Sequence, residues 1–116
     1  MRHKKTTKKL NVKQGARKAL IANMAESLVL YEKVQTSTAR AKAVASFVEK
    51  LITKAKKQNL TARRELISLL YTQNAVKKLM EVLAPRYKDR AGGFTRITAV
   101  KNRVGDGAKE VVVELV

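Results

Sequence analysis

The side chains with chemistry to do in this sequence are its lysines and arginines, and the chemistry is the holding of phosphate. Eight of them fall between Met1 and Lys18: Arg2, Lys4, Lys5, Lys8, Lys9, Lys13, Arg17 and Lys18. The first acidic residue is Glu26. A segment of this kind repels itself and cannot bury a core, so alone it is expected to be unfolded. A polyanion removes the repulsion, and release of its condensed counterions supplies free energy for binding. His3 stands within the run and is the only histidine. With no Cys or carboxylate cluster to join, it makes no metal site. It is grouped with the basic residues as a contact of the arm.

A second cationic cluster lies at residues 86–93. Arg86, Lys88 and Arg90 can bind phosphates, and Tyr87 can stack on an unpaired base. Gly92 and Gly93 would let the backbone come close to a sugar–phosphate chain; an ordinary helix-to-strand connection would use them only for backbone freedom. Arg63 and Arg64 open a helix, where their charge works against the helix dipole, which favours a role outside the fold. Arg96 and Arg103, on and beside a late strand, complete the candidates.

No other chemistry is visible. The nine carboxylates are spread along the chain, and no acidic pair is set for acid–base work. No nucleophile–base constellation is present. The run Gly105-Asp106-Gly107 is a turn signal, too weak for a phosphate loop. An enzyme, a cofactor, a metal and a small-molecule substrate are therefore not expected.

Local patterns define the elements that must position these residues. From Gln14 to Tyr31, Ala16, Leu20, Met24 and Leu28 recur every four residues, with Ile21 and Val29 beside them, as on one helical face. Arg17, Lys18, Asn23 and Glu26 fall on the other side. Residues 32–36 alternate and are partly β-branched, as a short strand would be. Ser37 or Thr38 can cap the next helix. There Ala41, Val44, Ala45, Val48, Leu51, Ile52 and Ala55 give the most regular apolar face in the chain. Asn59 and Thr61 interrupt it. A shorter helix over 62–70 carries Leu66, Ile67, Leu69 and Leu70. Thr72 or Asn74 caps a fourth, with Ala75, Val76, Leu79, Met80 and Leu83 on one side, and Pro85 is expected to end it at Ala84. Residues 94–101 and 110–116 read as strands, joined by the glycine turn into an antiparallel hairpin.

The predicted fold is thus α+β, in the order α-β-α-α-α-β-β, with a small three-stranded sheet. Residues 1–13 form a basic N-terminal arm and residues 14–116 a single domain. The chain has 116 residues, 45% of them apolar, enough for one real core. Its net charge of +17 must sit on the surface. Nucleic acid is the leading partner for such a field, and an anionic membrane surface the runner-up. No apolar run approaches the roughly 20 residues of a membrane span. The basic start is not followed by the apolar stretch of about 7–15 residues that marks a secretory signal. With no Cys, a cytoplasmic setting is the natural expectation.

Several stretches resemble a known family. They are Met1-Arg2-His3-Lys4-Lys5 with Lys9-Leu10-Asn11, then Asn23-Met24-Ala25-Glu26-Ser27-Leu28, Glu32, Val34, Thr36 and Arg40-Ala41-Lys42. The most specific are Pro85-Arg86-Tyr87 and Arg90-Ala91-Gly92-Gly93-Phe94-Thr95-Arg96-Ile97, and the ending Val113-Glu114-Leu115-Val116 fits as well. Together they are similar, end to end, to the bacterial large-subunit ribosomal protein L-seventeen family. The resemblance implies a two-layer α/β fold of the same element order. It also implies a structural role in the large ribosomal subunit, binding ribosomal RNA beside the neighbouring protein L-thirty-two. Where the family often carries His and Thr, this chain has Ala16 and Ser37. A DNA-binding architectural protein is the alternative, and it would bind any duplex DNA with comparable affinity.

Overall fold

Some helix ends are set locally and others by contacts from elsewhere in the fold. The structure is a computed structural model that describes residues 9–116. Helix α1 runs over Gln14–Tyr31 and ends where Glu32 turns left-handed, its N–H reaching Leu28 O at 2.8 Å. Only its second half is buried, through Ala22, Ala25, Leu28 and Val29. Ala16 is exposed and Leu20 half-buried, so the first two turns stand clear of the core. Strand β1 (Lys33–Ser37) follows, one residue later at each end than the alternation predicts.

Helix α2 (Thr38–Ala55) buries Ala41, Val44, Ala45, Val48, Leu51, Ile52 and Ala55, the predicted face residue for residue. Ser37 holds its N-cap position without a side-chain capping bond. Helix α3 (Leu60–Leu69) begins earlier than predicted, because the Asn59 side chain accepts from Ala62 N–H at 2.7 Å and caps it. Of its apolar residues Leu66 is buried, while Ile67 is 52% exposed.

Helix α4 (Gln73–Lys78) does not stop before Pro85, which corrects the predicted end at Ala84. It widens into a π-helical stretch, Leu79–Leu83, and continues as a last turn, α5 (Ala84–Arg86). Proline has no N–H to donate, and its ring collides with the carbonyl four residues back. The wider turn absorbs both faults. Ala84 N–H bonds to Leu79 O, and Tyr87 N–H returns to the ordinary spacing at Leu83 O.

Strands β2 (Thr95–Asn102) and β3 (Lys109–Leu115) form the expected hairpin, and β1 adds to the other side of β3. The order is β1-β3-β2, antiparallel throughout, with Val113 opposite both Val34 and Ile97. A bulge at Val100 shifts the register of β2 between Ala99 and Lys101. Helix α2 is the central element and packs on all three strands, on α1 and α3, and on the π-helical stretch and α5. Leu28, Val44, Val48, Leu51, Ile52, Leu66, Leu79, Leu83, Phe94 and Val113 fill the core between the helices and the sheet. The architecture is the predicted α+β arrangement with its small sheet.

Candidate nucleic-acid interface

The exposed half of α1 displays the first cations. Lys9 and Lys13 are exposed, and the chain between them makes a turn in which Val12 N–H bonds to Lys9 O at 3.1 Å. Lys18 is exposed and Arg17 half-buried, and α1 carries no acid in its first turn. Arg17 and Lys18 border a hollow of about 690 Å³ between α1 and α2, with Ser46 and Lys50 of α2 across from them. The sequence-predicted contacts Arg2, His3, Lys4, Lys5 and Lys8 lie outside the described residues.

The segment after α5 divides into a structural part and an open part. Tyr87 is 2% exposed. Its ring centroid lies 5.0 Å from that of Phe94, and its hydroxyl donates to Val116 O at 2.7 Å. This corrects the expectation that it stacks on a base: the ring is core, and the hydroxyl ties the helical layer to the end of the sheet. Arg86 is the last residue of α5 and not part of a loop. It hydrogen-bonds and ion-pairs with Glu32, and its guanidinium lies 5.9 Å from the Tyr87 ring centroid. Glu32 raises the Arg86 pKa further above its ordinary value. Glu32 also faces Lys78 at 3.9 Å, while Lys78 donates to Leu30 O at 2.9 Å. Arg86 therefore helps to lock the end of α1 against the end of α5.

Lys88 and Arg90 are exposed, and neither is in an ion pair with a described residue. Lys56 fixes their loop by donating to Arg90 O, with its ammonium 5.4 Å from the Phe94 ring centroid. Gly93 has φ +65°, a backbone that side chains resist. Gly92 has no such demand, and a Cβ placed there would meet nothing within 4 Å. Gly92 borders a second hollow of about 390 Å³, again with Ser46 and Lys50 on its wall. Ser46 and Lys50 thus join the α1 cations to the glycine loop.

The remaining candidates sit elsewhere. Arg63 and Arg64 are exposed on α3, and Arg63 shares a separate hollow with Lys77. Arg96 lies 3.6 Å from Glu114 across the sheet, and Lys33 reaches the same carboxylate at 3.5 Å. Arg103 grips Asp106 with two bonds of 3.2 and 3.0 Å. The Ala108 N–H and then the Arg103 guanidinium hold the Asp106 carboxyl below its usual range, and Asp106 raises Arg103 in return.

Two features escaped the sequence reading. Lys50 and Ser46 gave no signal beyond lying on the polar side of a helix. Glu26, placed by periodicity on the outer side of α1, is instead 8% exposed. Its carboxylate accepts from the backbone N–H groups of Tyr71 and, at 2.8 Å, Thr72. Thr72 itself makes no side-chain capping bond. Glu26 supplies that function from another helix, where the dipole favours an anion.

Fold and surface together define a class: a small basic α+β domain whose exposed groups carry charge rather than catalysis. A sequence model of the family described as Ribosomal protein L17 matches residues 20–116, and the chain belongs to that family. It is 44% identical to the large ribosomal subunit protein bL17 of Syntrophotalea carbinolica over 116 residues, all of this chain and 75% of the relative. Proteins of the same name from Rickettsia bellii strain OSU 85-389 and Bradyrhizobium diazoefficiens are each 47% identical over all of this chain, which covers 82% and 84% of them. As a member of the family the chain is a ribosomal protein, a structural component of the translation machinery and not an enzyme.

Proposed function

We propose that this protein is a structural constituent of the large ribosomal subunit that binds ribosomal RNA through a continuous cationic surface. The surface comprises Lys13, Arg17 and Lys18 of the α1 end, Lys50 of α2, and Lys88, Arg90 and Gly92 of the loop. The arm over residues 1–13 extends it. Arg63, Arg64, Arg96 and Arg103 form outlying contacts, and a protein neighbour, L-thirty-two in the expectation from the family, completes the setting.

The observation that carries the reading is where the negative charge goes. Ion pairs among the described residues engage Lys33, Lys54, Lys78, Arg86, Arg96 and Arg103. None engages Arg17, Lys18, Lys50 or Arg90. Glu32, Glu65, Asp106 and Glu114 take up those pairs, and Glu26 serves the start of α4. On the helix–loop face Glu49 accepts from Thr95 beside Gly92, and Asp89 stands between Lys88 and Arg90, but the cations outnumber these two acids, which favours an outside anion. The relatives are named as large ribosomal subunit proteins, which supports ribosomal RNA as that anion. If about eight phosphates are neutralised, the plot of log affinity against log salt should have a slope near −6 to −7. A slope shallower than about −2 overturns a phosphate-dominated contact. Equal affinity for ribosomal RNA and arbitrary duplex DNA would favour the architectural alternative.

A further inference from the structure

The hollow between α1 and α2 has a floor unlike its rim. Arg17, Lys18 and Lys50 stand around it, and Ile21, Phe47 and Leu69 lie at its base. These three apolar residues are only partly buried where they pack on the core. Among the described residues no carboxylate lines the hollow. The chain has two phenylalanines. Phe94 is 1% exposed and spoken for by the core, so Phe47 is the one that shows a side to the hollow. An apolar aromatic floor within a ring of cations is chemistry that suits a base with its flanking phosphates.

We infer that this hollow receives an unpaired nucleotide of the bound RNA, its base over Phe47 and its phosphates between Arg17, Lys18 and Lys50. The inference rests on the RNA-binding reading above and deepens it. The volume, about 690 Å³, falls within the range of roughly 300–1,000 Å³ usual for small-ligand clefts. Continuity argues for a nucleotide within a chain. Lys50 also walls the hollow beside Gly92, where Glu49 is turned to Thr95, so a strand leaving the base site can follow Lys50 and Lys54 to the glycine loop. Charge argues against the protein's own arm as occupant. Arg2, Lys4, Lys5 and Lys8 carry the same sign as the rim. The stacking that the sequence suggested for Tyr87 is thereby given to Phe47.

The test uses the full chain with three probes: a thiouridine-containing single-stranded oligonucleotide, a duplex RNA of the same length, and polyglutamate. Phe47→Leu keeps an apolar side chain but removes the ring. It should weaken the single strand about 5- to 100-fold and leave the duplex unchanged. Lys50→Ala should weaken both. Photocrosslinking of the unaltered protein should map to the α1–α2 segment around Phe47, a readout that does not depend on any variant folding. Single-strand affinity unchanged in a folded Phe47→Leu protein, or crosslinks only elsewhere, overturns the inference. So does polyglutamate displacing the oligonucleotide as effectively as RNA of equal charge, which would assign the hollow to an acidic peptide. Protection of Lys18 and Lys50 from acetylation that vanishes on deleting residues 1–8 would assign it to the arm, with the same result. Salt-sensitive binding of large-subunit RNA that survives any of these results leaves the RNA reading standing. Its absence brings down both.

Discussion

At the residue scale, neighbouring glycines do different jobs. Gly93 is required by its own backbone, at φ +65°, whereas nothing in the fold asks for Gly92. Gly93→Ala should cost about 1–2 kcal/mol of stability, because a side chain in the left-handed region crowds its own carbonyl. Gly92→Ala should leave the thermal midpoint alone. If RNA comes close to the loop there, Gly92→Ala should still lower RNA affinity, and parallel melting and binding curves separate the effects. Asp106 provides a pH dependence. Its carboxyl is held low by the Ala108 N–H and Arg103, so its folded value lies below its unfolded one. That contribution is present above about pH 4 and is lost as pH falls through the folded value. The protection of amides at the β2–β3 turn, taken relative to their intrinsic exchange rates, should therefore fall on acidification below about pH 4, and Asp106→Asn should remove this acid-side change.

At the scale of elements, legibility followed the range of the interaction. The buried face of α2 was readable because a 3.6-residue period is written in adjacent turns. Leu51 lies on that face and is 1% exposed. Leu51→Ala should destabilise the domain by roughly 2–5 kcal/mol, seen as a lower denaturation midpoint. What is long-range was harder to read. The limits of β1 are set by pairing with β3, whose Val113 and Val111 lie opposite Val34 and Thr36. Glu26 finds its partners 45 and 46 residues away, which no helical wheel displays. The π turn before Pro85 was missed for a different reason. Proline forbids one hydrogen bond, and a helix held by Leu79 and Leu83 in the core can rearrange around the gap rather than stop. In the candidate site, the cations were legible one by one, but their assembly through Lys50 needed α1, α2 and the loop in place. Tyr87 misled because an aromatic residue at a helix end suits a core lock as well as a nucleic-acid contact, and the pairing of Arg86 with Glu32 was hidden by the 54 residues between them.

At the scale of the molecule, the core begins after the arm. No residue of α1 before Ala22 is buried among those described. Deleting residues 1–9 should leave the circular dichroism of the helices largely intact and weaken RNA binding. Loss of most helical signal would show that the arm belongs to the domain. The kink at Val100 has a consequence of another kind. The outer strand of a sheet offers unsatisfied backbone groups to any passing chain, and long flat strands of this sort polymerise. Strand β2 is such a border, with Ile97 39% and Val100 49% exposed. The bulge breaks its straight ladder, and exposed Lys101 beside it adds positive charge. Copies of the protein thus meet one another along a bent, like-charged margin, which opposes fibre growth.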